Sequence, residues 1–224
     1  MLIPHLMFAH MLADYILQSN WMVARKGKSW DGLALHGVVV GFMSLLAVAP
    51  YVKTVWLGLV VLTALHTFQD YLKVYLGPRL NIHPFIPYMA DQVLHYLTII
   101  GVQVWVGDLE PGPSDAEIAF MWTGAAVVLL TRYYEVTWWA NWLDMIPYMR
   151  HWRDLGYLER LAMMALATSG LWFAAPLGVV PRLYIAARQK RPIWQQRRGM
   201  IEMGLGIALS VVVGLGLRVV YAQI

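Results

Sequence analysis

Long apolar stretches separated by short polar ones run through the whole chain. At about 1.5 Å of rise per residue, seven stretches are long enough to cross or nearly cross the roughly 30 Å hydrocarbon layer of a membrane. They cover residues 1–20, 32–50, 52–76, 85–106, 116–139, 158–187 and 200–221. This pattern predicts an all-α, polytopic integral membrane bundle of six or seven transmembrane helices, with Pro176 and Pro181 kinking or dividing the sixth segment.

A loop rich in turn-forming and acidic residues separates these segments into two groups. Residues 107–115 contain two glycines, two prolines and three acidic residues. We therefore predict a four-helix membrane part over residues 1–106, a loop over 107–115, and C-terminal membrane helices over 116–224.

The composition indicates a lipid bilayer as the partner of this fold. Hydrophobic residues make up 59% and charged residues 13% of the 224 positions, which is more apolar surface than a soluble core of this size can bury. The net charge of +4 is small and no basic stripe is visible, which argues against nucleic acid as a partner. Because the chain has no cysteine, histidine must carry any soft ligand chemistry.

Basic residues mark one face of the predicted bundle as cytoplasmic. The loop 21–31 after the first segment contains three Lys or Arg, and Lys73 and Arg79 close the third segment, whereas 107–115 is acidic. We predict a multipass protein of the bacterial inner (cytoplasmic) membrane, with the orientation of the C-terminal helices left open. Since charge lies inside the first segment and basic residues follow it, we expect a membrane segment there rather than a cleavable signal peptide.

Histidine and aspartate recur at helical spacing inside the apolar segments. Three pairs have members four residues apart, so each pair faces one side of its helix, and His36 stands alone in the second segment. The pairs are His10 with Asp14, His66 with Asp70, and Asp91 with His95. A charged residue at mid-helix costs about 2.5–3.5 kcal/mol on insertion scales, so each needs a partner. Because successive segments run in opposite directions, all of these residues fall at the cytoplasmic end, where they can share a cavity.

The spacing also suggests an internal repeat. A His-x-x-x-Asp-Tyr motif begins at His10 and again at His66, and each is followed by a further histidine in the next segment, His36 and His95. This predicts a pseudo-two-fold repeat in the N-terminal four-helix part, with Asp91 as an extra or bridging carboxylate. Such a ligand set is typical of a dinuclear centre, and we predict two divalent transition-metal ions, of Zn, Fe or Mn.

Other polar residues are assigned supporting roles. Tyr15, Gln18 and Tyr71 are predicted to orient the ligands by hydrogen bonds, and Lys73 to bind an anionic substrate or to anchor its helix end in the headgroup region. In the C-terminal half we expect structural charge pairs rather than a site. They involve Arg132, Glu135, Glu159, Arg160, Arg182 and Glu202.

The first hundred residues resemble a known family. The motifs that carry the resemblance are His10-Met-Leu-Ala-Asp14-Tyr15-Ile-Leu-Gln18, Lys26, Leu33-Ala-Leu-His36, His66-x-x-x-Asp70-x-x-Lys73 and Asp91-Gln92-x-x-His95. They are similar to those of the bacterial multipass membrane family known as domain of unknown function 3307. Val40 stands where members often have a second histidine, so one potential ligand is missing. The resemblance implies a membrane location but no assigned reaction.

These features predict a membrane-embedded metal-dependent hydrolase acting on a lipid-linked or membrane-adjacent ester, phosphoesters included. By motif alone, the paired His-x-x-x-Asp helices are similar to those of all-helical zinc phospholipases C and nucleases. The predicted ligands are His10, Asp14, His36, His66, Asp70, Asp91 and His95. Asp91 is also the candidate catalytic residue, as general base for a water molecule.

Two other classes of function remain open from the sequence. A non-catalytic subunit or assembly factor of a larger complex, bound to other membrane subunits, would use the same polar residues to join its helices. An ion- or proton-coupled carrier would use them as a relay. Haem ligation by the histidine pairs is a further alternative.

Overall fold

The computed structural model describes residues 1–142, 152–188 and 197–224, and all regular secondary structure in these ranges is helical. The all-α prediction is therefore confirmed. The chain forms two compact units, Met1–Val128 and Leu129–Ile224. The division lies beyond the predicted loop 107–115, because the helix that follows this loop packs against the first helix of the chain.

The first unit carries the candidate site. Its helices are α1 (Ile3–Met11), α2 (Asn20–Lys26), α3 (Trp30–Ala47), α4 (Val52–Leu76), α5 (Phe85–Val106) and α6 (Asp115–Val128). A π-helical stretch, Leu12–Leu17, extends α1, and 3₁₀ turns at Ala49–Tyr51 and Gly77–Arg79 flank α4.

Local sequence explains where several of these helices begin and end. The Ser19 hydroxyl caps α2 by accepting a hydrogen bond from the Met22 backbone N–H at 3.3 Å. At the start of α6, Glu117 Oε2 accepts from the Ser114 backbone N–H at 2.7 Å, while Ser114 Oγ accepts from the Glu117 N–H at 3.3 Å. Gly107 follows α5 with φ 75°, a conformation that side-chain-bearing residues rarely adopt.

Helices α3, α4 and α5 pack side by side in alternating directions. Gly37 faces Thr67 and Gly41 faces Thr63, which makes α3 and α4 antiparallel. A Cβ atom at Gly37 would clash with Thr67 Oγ1, so this glycine allows the two helices to approach closely. The close approach also brings His36, the neighbouring residue, towards α4.

An apolar layer fills one end of the first unit, and the His and Asp residues singled out by their spacing lie at the other. In four helical segments a buried apolar residue lies four positions from the histidine that faces the site. These apolar residues are Leu6, Val40, Leu62 and Ile99. The histidines therefore form a second layer at a common depth, as the alternating segment directions predict.

Among the described residues, three segments are long and apolar enough to cross a membrane. They are Trp30–Ala47, Ala49–Arg79 and Arg197–Gln223. Large apolar side chains on the first two remain exposed in the folded chain, among them Val38, Phe42, Trp56 and Val60. This exposure suits a lipid environment. The finding indicates membrane association, while the number of six or seven spans stays a prediction.

The second unit begins with π-helical stretches at Leu129–Tyr133 and Glu135–Trp142. It continues with α7 (Arg153–Thr168), a 3₁₀ stretch (Trp172–Val179), α8 (Val180–Arg188) and α9 (Arg197–Gln223). The predicted sixth segment is thus divided, but the break begins before its prolines, at Gly170 with φ 93°. Pro176 lies within the 3₁₀ stretch.

A buried charge network joins α7, α8 and α9 in the second unit. Arg182 donates to Glu159, and its Nη1 donates to Glu202 Oε2 at 2.5 Å. Arg160 Nη1 donates to Glu202 Oε1 at 3.3 Å. Because two guanidinium groups meet two carboxylates, the formal charges balance, which supports the structural role expected from the sequence.

Candidate metal centre

Seven buried polar side chains converge at the polar end of the first unit. Residues His10 and Asp14 come from α1 and its π-helical extension, His36 from α3, His66 and Asp70 from α4, and Asp91 and His95 from α5. Each is at most 8% exposed. The structure thus brings together all of the side chains that the sequence singles out as metal ligands.

Four atoms within this cluster, hereafter the quartet, are connected by five short separations. They are Asp14 Oδ1, His36 Nε2, His66 Nε2 and Asp70 Oδ2. His36 Nε2 lies 3.1 Å from His66 Nε2 and 3.2 Å from each of the two carboxylate oxygens. His66 Nε2 lies 3.5 Å from Asp14 Oδ1 and 3.6 Å from Asp70 Oδ2.

These five separations are close to the spacing of neighbouring ligand atoms around a bound metal ion. With metal–ligand bonds of about 2.0–2.1 Å, neighbouring ligand atoms in a tetrahedral zinc site are about 3.3–3.4 Å apart. Hydrogen bonds donated by the two imidazoles can account for at most two of the five close approaches, because a neutral imidazole has a single N–H. Ligand atoms of His36, His66 and Asp70 lie within 4.8 Å of one another and could hold one metal ion, and the same is true of His10, Asp14, His66 and His95.

Unsatisfied polar atoms around the quartet also fit a cation. Both ring nitrogens of His10 and of His95 are buried without a hydrogen-bond partner, although a carboxylate oxygen lies 3.8 Å from His10 Nδ1 and 3.5 Å from His95 Nε2. Buried polar atoms are nearly always hydrogen-bonded, so such atoms are candidates for metal ligation. The buried His and Asp groups could therefore hold a metal ion.

A second potential position adjoins the quartet on the α5 side. Ligand atoms of Asp70, Asp91 and His95 lie within 4.8 Å of one another. The His95 ring stacks on the His66 ring at 4.0 Å between centroids, so residues of the two positions contact one another.

Two lysines reach the same carboxylates. Lys26 of α2 donates to Asp70 Oδ2. Lys73 Nζ lies 2.5 Å from Asp91 Oδ2 and 3.1 Å from Asp70 Oδ1. With neutral imidazoles, the three carboxylates and two ammonium groups leave one negative charge. Binding one divalent ion would bring the net charge of the cluster to +1, whereas binding two would bring it to +3.

Lys26 contributes to the site, a role that its place in a basic loop and in the family motif did not indicate. It is buried, and its ammonium also donates to Gln18 Oε1 at 2.9 Å. The sequence feature that indicates its burial is the four-residue spacing from Met22, which places both residues on one face of the short α2 helix.

The predicted supporting residues lie at different distances from the ligands. The Tyr15 hydroxyl donates to Gln92 Oε1 at 2.6 Å, and Gln92 Nε2 donates to Asp91 Oδ2 at 3.1 Å, so Tyr15 acts on Asp91 through Gln92. Tyr71 is placed elsewhere, stacked on Trp30 at 4.8 Å between ring centroids.

Lys73 lies at a partly exposed edge of the cluster. The Lys73 side chain is 24% exposed, whereas the side chains of Asp70 and Asp91 that it contacts are almost completely buried. A ligand that approaches this edge would meet the Lys73 ammonium, which favours an anionic group.

Comparison with known proteins places the site within a described family. Residues 2–111 match the model of a family described as a protein of unknown function, DUF3307. The match covers all seven candidate ligands. No curated protein and no solved structure matches the chain.

Proposed function

Because residues 2–111 belong to this family of unknown function, we propose a function from the chemistry of the site itself. The protein is a membrane-embedded metal-dependent hydrolase that acts on a lipid-linked or membrane-adjacent ester, phosphoesters included. The observation that carries this proposal is the convergence of seven buried His and Asp side chains, which include three groups that could hold a metal ion.

The quartet is the proposed metal-binding site. Imidazole and carboxylate together suit Zn, Fe or Mn, and a divalent ion held there would supply Lewis acidity. Asp14 and Asp70 occupy equivalent positions in the predicted pseudo-two-fold repeat, whereas His36 and His66 do not, so the repeat stays a prediction. The charge balance favours one tightly bound ion. The second ion predicted from the sequence would have to bind beside Lys73, near His10, Asp91 and His95.

Asp91 is the proposed general base. Its Oδ2 atom is held by Lys73 at 2.5 Å and by Gln92 at 3.1 Å. Its Oδ1 atom has no hydrogen-bond partner, so it can accept a proton from an attacking water molecule. Lys73, at the exposed edge of the cluster, is suited to bind an anionic substrate oxygen.

We propose that the chain is a multipass protein of six or seven spans in the bacterial inner membrane. The apolar segments Trp30–Ala47 and Ala49–Arg79 support this location. The basic residues of the loop between α1 and α3 lie at the same end as the metal-binding residues. By the positive-inside rule, this end faces the cytoplasm.

A labelling experiment tests this orientation. Because the native chain has no cysteine, Lys28→Cys and Pro111→Cys each introduce a unique thiol at an exposed position. In intact cells, the thiol at position 28 should be protected from an impermeant maleimide, and the thiol at 111 should react. Permeabilised cells, in which both thiols should react, serve as the control. The reverse pattern would place the site on the outer side of the membrane.

A turnover assay tests the proposed activity. We expect detergent-purified protein supplied with Zn²⁺, Mn²⁺ or Fe²⁺ to hydrolyse bis(p-nitrophenyl) phosphate or p-nitrophenyl butyrate, and His36→Gln protein to lack this activity because one quartet ligand is removed. Folded protein that is free of metal and inert would instead favour the non-catalytic subunit.

The non-catalytic subunit is the second candidate, because Lys26 and Lys73 already neutralise most of the carboxylate charge. In that case the cluster would hold helices together within a larger membrane complex.

A further inference from the structure

The short helix α2 has one face turned into the first unit. Met22 and Lys26 are buried, and the Lys26 ammonium contacts Asp70 inside the metal centre. The start of α3 packs closely against the end of α2, since a Cβ atom at Gly32 would lie only 2.6 Å from the Arg25 carbonyl carbon. These contacts hold α2 firmly, so its outer face has a defined position.

The outer face combines exposed apolar and basic side chains. Trp21 is 58% exposed and Trp30, at the start of α3, is 64% exposed. Val23 is also exposed on the same helix. Tryptophan is enriched at membrane–water interfaces, where its ring contacts the headgroup region.

A concave site, hereafter the α2 notch, lies on this outer face. It has a volume of about 350 Å³ and is lined by Trp21, Ala24, Arg25, Lys28 and Ser29. The Arg25 guanidinium lies 5.3 Å from the centre of the Trp21 ring, and its Nε donates to Asp31 Oδ2 at 2.8 Å. Asp31 thus orients Arg25 and offsets one of the two positive charges, which leaves the notch with a net positive charge.

The position of the notch relative to the apolar helices defines the kind of ligand. α2 directly precedes Trp30–Ala47, one of the segments long and apolar enough to span a membrane. An element at the end of such a segment lies at the depth of the lipid headgroups. A positively charged site with an aromatic wall at this depth is complementary to a lipid phosphate.

We propose that the α2 notch binds the headgroup of an anionic phospholipid. Arg25 and Lys28 contact its phosphate, and Trp21, Val23 and Trp30 lie among the glycerol and upper acyl groups. Charge complementarity selects an anionic lipid over a zwitterionic one. This inference rests on the membrane location of α3 and is independent of metal binding and hydrolysis.

Bromolipid quenching in nanodiscs tests the proposal. Val23→Cys provides a unique thiol beside the notch, which is labelled with bimane. Quenching of the label is compared in two samples. One contains brominated phosphatidylglycerol in a phosphatidylcholine host, and the other contains brominated phosphatidylcholine at the same mole fraction. Since each basic residue near an anionic surface contributes about five-fold, we expect the apparent association of phosphatidylglycerol to exceed that of phosphatidylcholine by about 5–25-fold.

Matched charge variants locate the effect. Adding Arg25→Gln and Lys28→Gln to the labelled protein should make the two lipids quench equally. Adding Lys53→Gln and Arg79→Gln, which removes the same charge at other exposed positions, should leave the preference intact. His36→Gln should also leave it intact, so a failure of the hydrolase proposal would not alter this result.

Three outcomes would overturn the proposal. Equal quenching by both lipids in the parent protein would show that the notch does not select anionic lipid. Absence of quenching by either lipid would place the notch in water, where an acidic peptide becomes the better ligand. Loss of the preference on adding inorganic phosphate, but not sodium chloride at the same ionic strength, would identify free phosphate as the ligand.

Discussion

Replacing His66 by glutamine is expected to reduce metal affinity by more than about 100-fold, since removing a ligand should cost at least as much as removing a group that only orients one. His36→Gln should have the same effect, because each histidine contributes one of the four quartet atoms. Glutamine preserves the neutral charge, so the balance between the aspartates and lysines is kept and the protein should remain folded. Elemental analysis after chelator-free purification, with metal titration of the stripped protein, measures the change.

Two control variants distinguish ligand loss from general damage. His5→Gln replaces another buried histidine, at the opposite end of α1 against Tyr51, and should leave metal content unchanged. Glu202→Gln should lower the thermal midpoint without changing metal content, because it weakens the buried charge network of the second unit. Folded wild-type protein without metal would refute the metal centre. About two ions per chain would instead support the dinuclear prediction, and a visible Soret band would indicate haem.

Asp91→Asn is expected to lower hydrolytic turnover by about 10²–10⁴-fold, the usual contribution of a general base. Asparagine cannot accept the proton that we assign to Asp91 Oδ1. Metal in the quartet should be retained, since Asp91 is not one of its four residues. The fold should also persist, because Lys73 keeps Asp70 Oδ1 as a partner at 3.1 Å. Turnover, metal stoichiometry and the melting temperature of the same detergent-solubilised sample provide the measurement.

This substitution also separates catalysis from helix association. Interhelical hydrogen bonds in membrane proteins average about 0.6 kcal/mol, so a purely structural Asp91 would tolerate asparagine with little change in any readout. Asp108→Asn, which neutralises an exposed carboxylate in the loop 107–115, is the matched control and should retain full turnover. Wild-type turnover by Asp91→Asn protein would remove Asp91 from the mechanism.

The helical class and the depth of the polar residues could be predicted from the sequence because both depend on local regularities. A four-residue spacing places His66 and Asp70 on one side of a helix whatever that helix packs against. The position of each pair near one end of an apolar segment sets its depth. These two regularities do not specify the distance between side chains on different helices.

Only the tertiary structure decided which ligand atoms face one another. The rotation of each helix and the distance between helix axes depend on packing, as at Gly37 against Thr67, and this packing brings His36 Nε2 within 3.1 Å of His66 Nε2. Helix packing also decides that the Lys26 side chain contacts Asp70 and that the Tyr71 ring stacks on Trp30 away from the metal-binding residues. Neither follows from periodicity, because a residue's angle around its own helix does not determine which neighbouring helix it meets.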